Sequence, residues 1–501
     1  MFNNKKIYIL LFLVFLILRF LGIQFGLPYD GIHSTENFTI THILHYLSTG
    51  SLKPLDFQHP SLYQYLLTLI AKLSGLKNYL YLYLLARLLS CLASFFAVYF
   101  LYLLAKRLFD LRAMALLCAS FLGFNLLGIK YSHYAVPDSL SLLFIILSLF
   151  FSLLILQRPS LRNYLLCGLF CGLSIASKFS GFLSLGFFIF AHFLETKERN
   201  HGRFFLGLLT GVSVFFLASP FHLFYFKEAQ GDFFNYISDK GYFSFGLIKS
   251  QGYLTYPLIL IPDAFGLLAF ASSILGFCAM LFKDNKRALL LLFPSLIYFL
   301  LIGSEKGGTI QNLLPLFPVL SIFSAYLFFS LRKLNRASLV ILALLILLPN
   351  FTKSALFDYF LLKKDTRILA EEWLVKNVKE RAKIGFERYS PMDLNYIEPS
   401  LASQRFNAVY FVPSLCMYPA TFYKEEGYDY IVTSNFRRDS YQFFCKRASE
   451  CDGIKNYQSF DAQFRLMRKF EPAKIFNWTA VTLPWGTWPH NPIVSIYKVK
   501  E

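Results

Sequence analysis

Long apolar runs separated by short connections, every second of which is basic, limit what this chain can fold into more than any other feature. The runs lie at roughly 7–27, 79–105, 113–130, 139–156, 163–178, 180–194, 204–220, 256–282, 288–303, 313–331 and 337–352. Each approaches the ~20 residues a helix needs to cross a hydrocarbon core of about 30 Å. The expectation is a polytopic α-helical membrane protein with about eleven transmembrane helices. The two runs flanking Lys178 are short, so they either tilt or form one hairpin that dips into the membrane boundary.

The basic clusters fall at Lys5-Lys6, Lys106-Arg107 with Arg112, Arg158 with Arg162, Lys197 to Arg203, Lys283 to Arg287 and Arg332 to Arg336. The positive-inside rule assigns those connections to the cytoplasm, and the others to the opposite side. A formal charge of +19 would otherwise suggest a nucleic-acid partner. Here the cations set topology, and no nucleic acid is expected. Charged residues make up 16% of the chain against about 25% in soluble domains, which agrees with a bilayer protein. MFNNKK followed by IYILLFLVFLIL reads as an uncleaved first helix, since no small-x-small site follows it. Cys91, Cys118, Cys167, Cys171 and Cys278 sit in apolar runs as small core residues. Cys445 and Cys451 are near enough in sequence to pair in an oxidising compartment, with Cys416 as a rival partner.

The unusual chemistry gathers in the connections assigned outward. The first, 28–78, carries Glu36 and His59-Pro60, and a later one carries Tyr131, His133 and Asp138. An ionisable side chain near a bilayer is a functional candidate by default, because charge there costs free energy. The plainer reading of Glu36 and Asp138 is that they cap helices, where the dipole favours an anion. Lys178 and Arg87 are cations that either snorkel or hold a phosphate at headgroup level. His33, His42, His45, His59 and His133 share this face, so a divalent metal held with Glu36 or Asp138 is open, although the spacing is loose. From about 353 the composition turns mixed, with a helix-like DTRILAEEWLVKNV and strand-like YDYIVTS and PIVSIYKVK. Residues 353–501 therefore read as a soluble α/β domain outside the cytoplasm, following a membrane domain over 1–352. Trp478, Trp485 and Trp488 could stack on sugars there or simply pack, and NWT at Asn477 to Thr479 matches a glycosylation acceptor pattern.

These residues resemble a known family, the GT-C class of membrane glycosyltransferases, specifically glycosyltransferase family 39 with its dolichyl-phosphate-mannose-protein mannosyltransferase and bacterial aminoarabinose-transferase relatives. The likeness is carried in order by HSTE at His33 to Glu36, TG at Thr49-Gly50, LKPLDFQHPSLYQYLL at Leu52 to Leu67 and ARLLS at Ala86 to Ser90. It continues through YSHYAVPDSLSLLF at Tyr131 to Phe144, GLSIASKFSGFL around Lys178, SPFHLF at Ser219 to Phe224, LLPLFPVL at Leu313 to Leu320 and DTRILAEEWLVKN at Asp365 to Asn377.

The resemblance implies transfer of a sugar from a polyprenyl-phosphate donor to a glycan, lipid or protein acceptor, on the periplasmic face of a bacterial inner membrane. It implies Glu36 and Asp138 as the acids, Lys178, Arg87 and His59 around the donor phosphate, and His133 and Tyr131 toward the acceptor. No nucleotide is required. The family usually has Asp-Glu where this chain has Thr35-Glu36, so either Glu36 takes the base's role or activity is impaired. It also often has an Arg where Gln311-Asn312 stands. Two rival readings remain at this level: a transporter or flippase for a lipid-linked substrate, and a non-catalytic lipid-binding or assembly relative.

Overall fold

A computed structural model describes residues 5–29, 34–195, 199–240, 252–305, 310–394, 400–411, 414–435, 438, 452–472 and 492–499. Helices dominate up to residue 361. They run α1 Lys5–Phe20, α2 Ser34–Thr49, α3 Leu62–Ser74, α4 Tyr79–Phe109, α5 Arg112–Gly123, α6 Leu126–Ser132, α7 Asp138–Gln157, α8 Leu161–Ser177, α9 Phe182–Leu194 and α10 His201–Ala218. They continue with α11 Phe221–Phe224, α12 Phe226–Lys240, α13 Gly252–Thr255, α14 Leu267–Lys283, α15 Asn285–Gly303, α16 Phe317–Ser330 and α17 Arg336–Leu361. Each of the eleven apolar runs contains helix, although the first is helical only to Phe20. Among the described residues seven helical stretches are long and apolar enough to cross a membrane, or eight if the bent α5–α6 pair is one span, fewer than the eleven expected. The runs flanking Lys178 form two separate, shorter helices, α8 and α9. This is an integral membrane protein.

The connections start helices by supplying caps. The Asn78, Asn125, Ser160 and Asn200 side chains accept backbone N–H groups at the starts of α4, α6, α8 and α10. Asn125 also marks a 62° bend between α5 and α6, and its Nδ2 donates to the Ala264 carbonyl at 2.8 Å. That bend turns α6 toward the loop that begins α7.

Two helices meet at glycine. A Cβ built on Gly168 of α8 would sit 1.9 Å from the Gly207 carbonyl oxygen of α10, and one on Gly207 would sit 2.7 Å from the Tyr164 carbonyl. Side chains are excluded from this contact, which is the small-residue packing membrane helices use when lipid offers no hydrophobic drive for association. The last residue of α8, Ser177, precedes Lys178, so this packing sets where the lysine emerges.

Contacts divide the chain into two units, Met1–Ile23 with Phe38–Asp358, and Gln24–Asn37 with Tyr359–Glu501. The sequence suggested a boundary at 352. Helix α17 runs on past Pro349 to Leu361, and the start of the first outer connection groups with the C-terminal unit.

The second unit holds a five-stranded sheet. Its strands are β1 Lys383–Glu387, β2 Asn407–Phe411, β3 Tyr430–Ser434, β4 Arg465–Phe470 and β5 Val494–Lys498, in the order β2-β1-β3-β5-β4. β1 pairs in parallel with β2 and β3, while β5 runs antiparallel to β3 and β4. Helix α18, Thr366–Asn377, packs Ala370 and Leu374 against Ile384, Phe386, Val432 and Ile496 on one face. The other face carries an aromatic cluster of Tyr423, Tyr428, Tyr457, Phe460 and Phe464. YDYIVTS and PIVSIYKVK supply β3 and β5, as their alternation suggests. Cys445, Cys451, Asn477, Trp478, Trp485 and Trp488 lie outside the described residues, and so does His33.

Candidate active site

Motifs far apart in the sequence are joined by direct bonds within the membrane unit. The Ser61 N–H of HPSLY donates to Ser219 Oγ of SPFHLF at 3.0 Å. The Tyr63 hydroxyl lies 2.7 Å from the Ala86 carbonyl and 2.8 Å from Ser90 Oγ, both in ARLLS. Ser90 Oγ in turn donates to the Val136 carbonyl at 3.0 Å, in the loop before Asp138. The Phe57 N–H donates to Asp232 Oδ2 at 3.0 Å. These serine, tyrosine and aspartate partners are what the buried backbone of irregular loops requires.

Asp138 lies in the first turn of α7, and Lys178 caps α8 in extended backbone. Lys178 Nζ donates to Asp138 Oδ1 at 2.6 Å, with both side chains over nine-tenths buried. Sequence reading placed both residues at the outer face but did not pair them. Taken together they form a short charge-assisted bond in a place where either charge alone would be costly. Tyr131, which is also buried, donates to Gln311 Oε1 at 2.9 Å. The position where the family often carries an arginine thus offers a neutral acceptor to a tyrosine.

Arg87 is 1% exposed, donates to the Ile23 carbonyl at 2.9 Å, and lies over the Tyr83 ring. It does not snorkel. His59 is half-buried, its ring edge-on to Phe38 at 5.4 Å. Glu36 is buried in the first turn of α2. His133, expected against an acceptor, is buried, as Tyr131 and Asp138 are. Its Nδ1 lies 2.8 Å from the Ile129 carbonyl and its Nε2 2.9 Å from the Leu21 carbonyl, so the ring serves the chain's own backbone.

Of the histidines that left a metal open, His33 lies outside the described residues. No three His, Cys, Asp or Glu side chains come together among the described residues. His42 Nδ1 faces the Phe38 carbonyl at 2.8 Å, as the i, i+4 geometry of α2 allows.

Three buried groups escaped the sequence reading. Arg19, near the end of α1, is fully buried, donating to Ser94 Oγ and to the Phe15 and Gly123 carbonyls. Asp358, near the end of α17, is equally buried and sits 3.7 Å from His133 Nε2. His222 of SPFHLF is enclosed by Phe57, Phe179 and Phe215, and burial lowers its pKa to about 4. Arg19 is a lone charge inside the first apolar run, and Asp358 lies six residues beyond the last one, where it looks like a solvated flank.

Residues 58–224 match the family model described as dolichyl-phosphate-mannose-protein mannosyltransferase. No curated protein sequence matches the chain. Among solved structures, ArnT from Cupriavidus metallidurans bound to undecaprenyl phosphate superposes with a TM-score of 0.53 at 15% identity, covering 98% of each chain. The apo form of the same protein gives 0.53 at 14% identity, covering 98% of this chain and 96% of that one. Archaeal oligosaccharyltransferase AglB from Archaeoglobus fulgidus, in complex with an inhibitory peptide and a dolichol-phosphate, gives 0.54 at 13% identity, covering 86% of this chain and 69% of that one. The fold is therefore the one these membrane enzymes share.

Proposed function

We propose that this chain is a membrane glycosyltransferase of the GT-C class that moves a sugar from a polyprenyl-phosphate donor to an acceptor at the outer face of a bacterial inner membrane. The fold likeness to ArnT and AglB and the match of residues 58–224 support the class. The buried Asp138–Lys178 pair, at the junction of the loops that carry the family's motifs, is the single observation that carries the chemistry.

Asp138 is the general base in this reading. It takes the proton from an acceptor hydroxyl or amine as that group attacks the anomeric carbon. One bond forms from acceptor to anomeric carbon, and the bond to the phosphate oxygen breaks. Assistance of this kind is worth about 10²–10⁴-fold. Lys178, with Arg87 and His59, meets the departing polyprenyl phosphate and offsets its charge. Lys178 already bonds Asp138, so an arriving phosphate competes for the ammonium and loosens the carboxylate for the acceptor. Tyr131 lies on the acceptor side of the same loop. Glu36 is the acid that the family motif supplies in the first outer connection. No step calls on a nucleotide. The acceptor belongs to the broad set of glycan, lipid or protein, and in this reading the C-terminal sheet domain lies outside the cytoplasm.

The test is transfer of label from a radiolabelled polyprenyl-phosphate sugar in membranes carrying the native chain, Glu36→Gln or Asp138→Asn. The expected loss for Asp138→Asn is at least about 100-fold. Transfer that survives both changes unaltered removes these carboxylates from the mechanism.

A further inference from the structure

Three helical segments of the membrane unit bring ionisable side chains to one buried place that the proposed chemistry does not use. Arg19 comes from α1, His133 from the end of α6 and Asp358 from α17, and all three are fully buried. Charges inside a membrane unit are retained where they do something, since each costs free energy to bury. Two of these groups are incompletely bonded. Arg19 Nη2 has no hydrogen-bond partner among the described residues, and neither oxygen of Asp358 has one.

His133 is the hub. Its two ring nitrogens face the carbonyls of Ile129, on its own helix, and Leu21, beyond the end of α1. Carbonyls only accept, so the ring ties its loop to the backbone through whichever nitrogen carries the proton. Asp358 Oδ1 lies 3.7 Å from Nε2, and the neighbouring Phe357 ring packs edge-on to the imidazole at 5.9 Å. Arg19 Nη1 reaches the Gly123 carbonyl at the α5–α6 bend, and Cys91 Sγ donates to the carbonyls of Arg19 and Ser132. These bonds tie the backbone just before His133, at Ile129 and Ser132, to the end of α1, and Asp138 follows five residues later.

We propose that His133, Asp358 and Arg19 form a positioning cluster that fixes the 133–137 loop, and with it Asp138, against α1 and α17. The inference rests on the proposed role of Asp138 for its catalytic consequence, but the positioning itself is measurable without turnover. None of the three touches substrate. They act through the loop, and a shift of about 1 Å in a base so held can cost 10²-fold in rate.

The experiment compares the full native chain in detergent with Asp358→Asn and His133→Gln. Hydrogen exchange of the 134–136 and 138 amides is expected to rise about tenfold or more in both variants. Exchange elsewhere in α1, α4 and α7 should stay as in the native chain. In the sugar-transfer assay, kcat is expected to fall about 10–100-fold while the donor KM stays within about twofold. Asp358→Asn should add nothing to the loss already present in an Asp138→Asn background. Unchanged loop exchange overturns the proposal. So does exchange that rises throughout the unit, which marks a merely structural role, and so do losses that add in the double variant. If Asp358→Asn does not fold, His133→Gln, which keeps the carboxylate, decides the same question. A native chain that transfers no sugar sinks the functional reading, while the exchange result still decides the positioning.

Discussion

At the scale of single residues, the Lys178–Asp138 bond sets the clearest expectations. Lys178→Met leaves a buried carboxylate without its cation and is expected to cost about 3–5 kcal/mol, read as a fall in melting temperature in detergent. Asp138→Asn combined with Lys178→Met should recover much of that loss, because two neutral groups replace an orphaned charge. If the double variant melts as low as Lys178→Met alone, the pair is not the source of the cost. The sequence carried much of this site. The motifs placed Asp138, Lys178 and His59 in connections of one side and Arg87 about two turns into a span, since a polar residue stands out against leucine and phenylalanine. It could not pair them, because residues 138 and 178 meet only after α7 and α8 fold back on each other. Arg19 and Asp358 stayed hidden for the opposite reason. Arg19 is one charge inside an apolar run and Asp358 one charge beyond another, and only tertiary packing distinguishes a buried charge from a snorkelling or solvated one.

Among the elements, α8 and α10 depend on an absent side chain. Gly168→Leu has nowhere to place its Cβ except against the Gly207 carbonyl, so the helices must separate. Overpacking of this kind costs about 1–3 kcal/mol or more, and it displaces the end of α8 that precedes Lys178. Transfer activity should fall with the melting temperature. Gly231→Ala, whose Cβ would meet nothing within 4 Å, is expected to leave both unchanged. The sheet offers a different prediction. Glu387, at the carboxyl end of β1, accepts from the Ser434 and Leu415 N–H groups and from the Ser414 and Tyr457 hydroxyls. In an open α/β sheet that end of the parallel strands is where ligands bind. Here the chain's own carboxylate occupies it. Burial raises its pKa from 4.5 to about 7, with these donors opposing the shift. A folded value above the unfolded one means that stability is complete below pH 4.5 and is lost as pH rises through about 7, on the order of 3 kcal/mol in all. Glu387→Gln should flatten that dependence in the thermal unfolding of the second unit followed by tryptophan fluorescence. A native profile that is flat from pH 5 to 8 would exclude it. The strand-like YDYIVTS and PIVSIYKVK made β3 and β5 legible, whereas β1 and β2, of the same five-residue length, were not singled out.

For the whole molecule, the alternating basic connections predict sidedness. Cysteines introduced at Ser160 and Lys333 should react with an impermeant maleimide only after the membrane is opened, and a cysteine at Ser51 should react from outside. Labelling of all three from the same side would contradict the proposed orientation. The eleven apolar runs conveyed the membrane architecture because bilayer thickness dictates helix length before any packing is known. The same reading missed the extension of α17, since Lys353 and Asp358 end the apolar composition without ending the helix. The ion pair between the start of α7 and the residue after α8 also bears on how the chain enters the bilayer. An α-helical hairpin that inserts as a unit drives both of its free ends to the far side, and here one end brings an anion and the other a cation. Neutralised against each other, they cross at less than the ~2.5–3.5 kcal/mol that an isolated charge costs at a span centre. The contact that would organise the chemistry in the finished protein therefore also eases the passage of this hairpin during its biogenesis.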